Sequence, residues 1–268
     1  MSHFAILVAV PQGKTLDEVM LPYHEYECTG IEAYLQFVPA DMNDLKTELE
    51  KYGAGQTMAE YVEENYNYTW DEEKQVYGKM TNPNKKWDWW QIGGGWNNYL
   101  GRNEGTKAAF DFDSMRERVI AHKVARNTEW QTARAEATIT AADIDHARET
   151  LAKHWKDNKG AQELYTEPAQ LALDDKAFRK IDYYMWGVDD AREFRLTEAE
   201  YREKNGYNAP LHGFIDLEGR WNERGDMGWW GICAYENKDN FDGKTGQFWS
   251  FVDALPDDAQ LYVVDCHI

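Results

Sequence analysis

Two short polar clusters near opposite ends of the chain hold residue types that do chemistry. The first is His24, Glu25, Glu27 and Cys28 in YHEYECTG; the second is Asp265, Cys266 and His267 in the terminal DCHI. Imidazole, thiolate and carboxylate are the donors that zinc and other transition metals take. His24, Cys28, Cys266 and His267 are therefore a candidate ligand set for a divalent metal such as zinc. The same groups serve acid–base catalysis or a cysteine–histidine nucleophile pair, which makes His24, Glu25, Asp265 and His267 the candidate catalytic set. HEYEC is not the HExxH zinc pattern, and the C-terminal cysteine–histidine step is no recognised ligand spacing. The plain structural alternative is that both histidines hydrogen-bond locally and the cysteines pack. Either functional reading requires the two chain ends to be neighbours.

A second constellation is aromatic. The stretch NPNKKWDWWQIGGGWNNYL, residues 82–100, holds four of the twelve tryptophans beside the run Gly93, Gly94 and Gly95. Trp87, Trp89, Trp90 and Trp96, with Trp230 from GDMGWWG, are candidate walls of a ligand pocket. Ring faces stack on bases and sugars, and glycines let backbone N–H groups approach a phosphate. The run is neither a Walker A loop nor a GxGxxG fingerprint. The structural alternative is an aromatic core, with the glycines permitting close approach. Strand alternation puts Trp87 and Trp89 on one face and Trp90 on the other.

The elements that must position these groups follow from pattern and punctuation. Residues 3–10 (HFAILVAV) and 259–268 (AQLYVVDCHI) read as buried strands. Between them lie helices capped by Thr15, Asp41 and Thr57, a strand over 74–80 and another over 87–92. A long charged stretch then favours helix, with Asp113 and Thr140 as caps. Ile139, Ile144, Ala147, Leu151 and Trp155 recur at three-to-four spacing, an amphipathic pattern that suggests a helical hairpin. GFIDLEGRW reads as a hairpin turning at Glu218 and Gly219. The expected fold is α+β, with a mixed or antiparallel sheet formed by the N- and C-terminal segments and a helical insertion. The expected division is 1–112 for the N-terminal part of the core, 113–204 for the insertion and 205–268 for the β-rich part that completes it.

Composition limits the classes of function. The chain has 268 residues, 43% hydrophobic and 14% aromatic, enough for a sizeable core. Acidic residues outnumber basic ones 48 to 29, for a formal net charge of −19. Such a chain repels phosphate backbones, so direct nucleic-acid binding is not expected. A dense anionic stretch at Glu60, Glu63, Glu64, Asp71, Glu72 and Glu73 could instead face a basic protein; the plain alternative is a solvated surface. Three cysteines without CxxC spacing fit a reducing compartment. No apolar run approaches the ~20 residues that span a bilayer, so no membrane association is expected.

Three stretches resemble a group of mostly uncharacterised bacteriophage and prophage proteins: MSHFAILVAV with LPYHEYECTG, NPNKKWDWWQIGGGW, and GDMGWWG with LPDDAQLYVVDCHI. The resemblance covers both ends and the Trp–Gly stretch but not the helical middle. It implies an accessory protein acting in the host cytoplasm and carries no established activity. Gly95 stands where the similar stretch has arginine (IGGRW), so no anion-binding role transfers to that position. The expected function is binding of a small polar ligand, of the nucleotide type, in a tryptophan-lined pocket, with metal-assisted or hydrolytic turnover. The alternative is a non-enzymatic acidic anti-defence inhibitor that binds a host defence or nucleic-acid-processing protein.

Overall fold

The computed structural model describes residues 2–25, 32–154, 159–183, 188–228 and 233–268. The chain divides into two compact units. The first comprises Met1–Phe110, Leu211–Lys238 and Phe251–Ile268; the second comprises Asp111–Pro210 and Asp239–Ser250. The second unit thus takes in residues 239–250, which the sequence pattern assigns to the β-rich part.

The first unit is built on the pairing of the chain's ends. Strand β1 (His3–Val10) runs antiparallel to the last strand (Gln260–His267, β11 in chain order), from His3 opposite His267 to Val10 opposite Gln260. Beside β11 lie β5 (Trp89–Ile92) and β6 (Glu104–Thr106), both antiparallel to it. On the other flank, β7 (Gly213–Ile215) is parallel to β1, and β8 (Trp221–Glu223) closes the sheet. The sheet is therefore mixed and formed by N- and C-terminal segments, and with the helices between them the fold is α+β.

Both faces of the central strands are covered, which is why β1 reads as a continuous apolar run rather than an alternating one. One face carries Phe4, Ile6, Val8, Val264 and Cys266, packed with Leu16, Val19 and Met20 of helix α1 (Leu16–Met20) and its flank. Thr15 starts that helix with a capping box closed by Glu18. The opposite face carries Ala5, Leu7, Ala9, Leu261 and Val263, all buried. There Phe214 stacks on Phe251 with ring centroids 4.2 Å apart. Burial of each such Val, Leu or Ile side chain stabilises the fold by about 1.5–3 kcal/mol.

A small antiparallel sheet accompanies this core: β2 (Gln36–Pro39), β4 (Val76–Thr81) and β3 (Thr69–Asp71), in that spatial order. Helices α2 (Met42–Tyr52) and α3 (Met58–Tyr66) contribute the buried Leu45, Tyr61 and Val62. Several acids of the anionic stretch have local work. Glu60 closes the capping box of α3, and Asp71 accepts the backbone N–H groups of Glu73 and Lys74.

The second unit is helical. Helix α4 (Phe112–Glu136) is capped by Asp111, whose carboxylate accepts from the Ser114 N–H. The predicted cap, Asp113, lies inside the first turn instead. Helices α5 (Ala141–His154) and α7 (Pro168–Lys180) pack together, and α7 also packs on α4. The expected hairpin therefore gives way to an arrangement in which α7 is the shared partner. Helix α6 (Lys159–Leu164), α8 (Val188–Phe194) and α9 (Glu198–Asn205) complete the main bundle. Trp130, Phe178 and Phe194 form its aromatic centre, and Ile144, Leu151 and Ile139 pack against that core. Among the described residues no helix is long and apolar enough to cross a membrane.

Candidate active site

Strand alternation decides what the terminal DCHI can do. Asp265 and His267 share one face of β11, and Cys266 points to the other. Because β1 and β11 pair antiparallel, His3 is directly opposite His267, and Ala5 is opposite Asp265. On the outer side, Trp89 is opposite His267 and Gln91 is opposite Asp265. The sheet end thus presents His3, Asp265, His267, Gln91 and Trp89 together.

Two histidine–carboxylate pairs result. His3 Nδ1 lies 3.1 Å from Asp265 Oδ1, and His267 Nδ1 lies 2.6 Å from Asp88 Oδ1. A carboxylate in its ionised form only accepts, so each pair favours the tautomer with the proton on Nδ1 and leaves Nε2 outside the pair. The two rings lie 5.0 Å apart, centroid to centroid. Trp89 stands 5.7 Å from His3 and 5.9 Å from His267. The His3 side chain is 46% exposed and Trp89 is 45% exposed, whereas the His267 side chain is 14% exposed. His3 and Trp89 are therefore the solvent-facing members of the group, and His267 lies deeper.

Asp265 is 1% exposed, and a buried carboxylate must be supplied with donors. Besides His3, the Gly95 N–H donates to its Oδ2 at 2.9 Å and Gln91 Nε2 stands 3.4 Å from the same atom. Gly94 has φ +52°, and a Cβ there would come within 2.1 Å of Asp265 Oδ2. The glycine run therefore brings one backbone N–H, that of Gly95, to an anion, and that anion is the protein's own carboxylate.

The other sequence-predicted residues divide clearly. The His24 ring packs edge-on to Trp87 at 4.4 Å, and its Nε2 lies 3.2 Å from the Asp88 carbonyl oxygen. His24 and His267 thus both touch Asp88, one at its backbone and the other at its carboxylate. Burial holds the His24 imidazole below its usual pKa range. Glu25 turns to Lys85, 2.8 Å away. Cys266 is fully buried among the residues of the opposite face, where burial raises its thiol well above the usual range. It therefore does not join His267 as a ligand: neighbours on a strand point apart. Cys28 and Trp230 lie outside the described residues.

Trp87 corrects the alternation argument. It precedes β5, in an isolated bridge with His24, and is buried with Trp90 rather than sharing the face of Trp89. The strand period holds only where strand geometry does, and here it starts at Trp89. Trp96 is half-buried in the turn that follows Gly93. Among the described residues no group of three or more His, Cys, Asp and Glu side chains is arranged to hold a metal ion. The site offers two imidazole nitrogens, with both carboxylates already engaged at Nδ1.

His3 and Asp88 are the residues that sequence reasoning missed. His3 was readable: once residues 3–10 and 260–267 pair antiparallel end to end, it falls opposite His267. Asp88 had no comparable signal, sitting in the aromatic KKWDWW. A further constellation was also missed, on the opposite side of the sheet. His212, 5.2 Å from the ring of Phe4, lies between Cys233 Sγ at 4.0 Å and Glu223 Oε2 at 3.9 Å. Its side chain is buried, and burial lowers its pKa to about 4. No family model, curated protein or solved structure matches the chain.

Proposed function

We propose that the protein binds a small phosphoester ligand of the nucleotide type at the sheet end and turns it over by general acid–base catalysis. The observation that supports this most is the pair of adjacent imidazoles, His3 and His267, each held at Nδ1 by its own carboxylate. In a phosphodiester cleavage one neutral Nε2 takes the proton of the attacking water or hydroxyl. The other imidazole, protonated, gives its proton to the leaving oxygen as the P–O bond breaks. The proton count balances across the pair, and the roles exchange on the return. Asp265 and Asp88 fix the tautomers and ring orientations, and they stabilise whichever imidazolium forms. Trp89 supplies an exposed ring face on which a base can stack. The chemistry of this chain's own side chains calls for no metal, and none enters the steps above. The setting is the host cytoplasm.

The test is a panel of nucleoside phosphodiesters and cyclic nucleotides offered to the purified full-length chain, read by product release and by tryptophan fluorescence. Turnover that vanishes in both His3→Ala and His267→Ala supports the reading. A folded protein that neither binds nor cleaves any member of the panel contradicts it.

The charge favours a second reading, that of an acidic inhibitor of a host defence or nucleic-acid-processing protein. It rests on the net charge of −19 and on the exposed Glu63, Glu64, Glu72 and Glu73. Charge reversal at these four positions then abolishes salt-sensitive capture of a basic host protein. Capture that survives the reversal rules that surface out.

A further inference from the structure

We propose that the helical unit carries a binding site of its own, for a small aromatic carboxylate that also bears a hydroxyl group. A cavity of about 230 Å³ is lined by residues of α4, α8 and α9 together with Tyr183. It exceeds the ~150 Å³ apolar cavity that takes up benzene, so a single substituted ring fits it and a nucleotide does not.

Among the described residues, Tyr201 and Asn127, which both line this cavity, each carry a buried polar atom without a hydrogen-bond partner. Tyr201 is 3% exposed and its hydroxyl has no hydrogen-bond partner. Asn127 is 6% exposed; its Nδ2 donates to the Leu196 carbonyl at 3.0 Å, yet its Oδ1 has no partner. An unmade hydrogen bond at a buried polar atom is costly, and a bound polar group that supplies the partner removes the cost. Burial, with Glu193 nearby, raises the Tyr201 pKa, so its hydroxyl is a donor at neutral pH. Asn127 Oδ1 is an acceptor. A ligand hydroxyl answers both at once, accepting from Tyr201 and donating to Asn127.

The rim is cationic. His122 and Lys123 are exposed on α4, and among the described residues neither has an ion-pair partner. In a chain whose acids outnumber its bases 48 to 29, Lys123 brings a positive charge to the cavity lining. Arg126 adds its guanidinium 5.6 Å from the Tyr183 ring, and Glu193, the acid among the lining residues, lies 3.6 Å from Lys204. A carboxylate at the Lys123 end and a ring between Tyr183 and the floor fit this distribution.

The test uses the full-length protein in calorimetry with benzoate and the 2-, 3- and 4-hydroxybenzoates, with benzyl alcohol and benzylamine as controls. Saturable binding of at least one hydroxybenzoate, tighter than benzoate and absent for benzylamine, is expected. Tyr201→Phe leaves thermal stability unchanged or raised and removes the preference for the hydroxylated ligand. Lys123→Gln weakens every carboxylate about tenfold and leaves benzyl alcohol unaffected. No saturable binding of any carboxylate, binding of benzylamine equal to that of benzoate, or identical affinities in both variants overturns the assignment.

Discussion

The sheet of the first unit holds imidazoles in two opposite conditions. At its end, His3 and His267 each set Nδ1 against a carboxylate oxygen, beside an exposed tryptophan. On the other side, His212 stands between a thiol and a carboxylate, the residue types of a nucleophilic triad. Yet every quantity there points away from catalysis. Its Nε2 makes no hydrogen bond, and Glu223 is occupied by Lys86 and by the Trp221 indole N–H. Burial lowers the imidazole to a pKa of about 4 and raises the Cys233 thiol. A thiolate–imidazolium pair needs the reverse. Residue types alone therefore do not distinguish the two places; solvent access and a dedicated carboxylate do.

That contrast can be broken at either place. The largest effect is expected from His267→Ala, which should lower kcat/KM for a cleaved phosphodiester by about 10²–10⁴-fold. His212→Phe should leave the same parameter within about threefold. Equal losses in the two variants would erase the distinction.

The reverse holds for stability. The folded-state pKa of His212, about 4, lies below its ordinary value of 6.5, so the native state binds fewer protons than the unfolded chain between those values. Stability is then fully present above about pH 6.5 and is lost as pH falls towards 4, by on the order of 3 kcal/mol from this one group. Urea midpoints at pH 7 and pH 4 should show that loss shrinking in His212→Phe and persisting in His267→Ala. A slope unaltered by His212→Phe would mean that the imidazole is not held neutral.

A smaller effect is expected at the loop that supports Asp265. Gly94→Ala forces a positive φ on alanine and drives a Cβ to 2.1 Å from Asp265 Oδ2. It should cost roughly 1–3 kcal/mol and loosen His3 as well. Gly13→Ala, at φ +84° with nothing within 4 Å of the added Cβ, carries strain alone and should leave turnover untouched. Of similar size, but confined to binding, is the effect of Trp89→Ala. It should weaken nucleotide binding by about 1–3 kcal/mol while thermal stability barely moves, since the ring is already exposed.

Much of this fold is legible in the sequence, for physical reasons that also mark where legibility stops. Thr15, Thr57 and Thr197 each start a helix with a capping box, a signal contained within four residues. The terminal strands announce themselves by buried β-branched runs, and their pairing brings Asp265 and His267 to His3. Position along the chain does not reveal facing, however. Cys266 was a plausible ligand by type and is excluded by the two-residue period of its strand. Trp87 lies before its strand, whose period begins only two residues later. Asp111 and Asp113 both resemble caps, and only the start of α4 chooses between them. The His212 group draws on residues 212, 223 and 233 with Lys86, and the cavity of the helical unit on α4, α8 and α9. Neither leaves a local pattern, because packing of distant segments creates them.

The central claim is that a phosphoester ligand meets His3 and His267 at Nε2 beside Trp89. Long-range ¹H–¹⁵N spectra of the histidine side chains, recorded while a nucleotide panel is titrated into the full-length protein, test it directly. The account predicts that His3 and His267 rest with Nδ1 protonated and that their Nε2 resonances shift together and saturate with a ligand, while His212 stays still. Unmoved His3 and His267 signals across the whole panel, or shifts confined to His212, would contradict it.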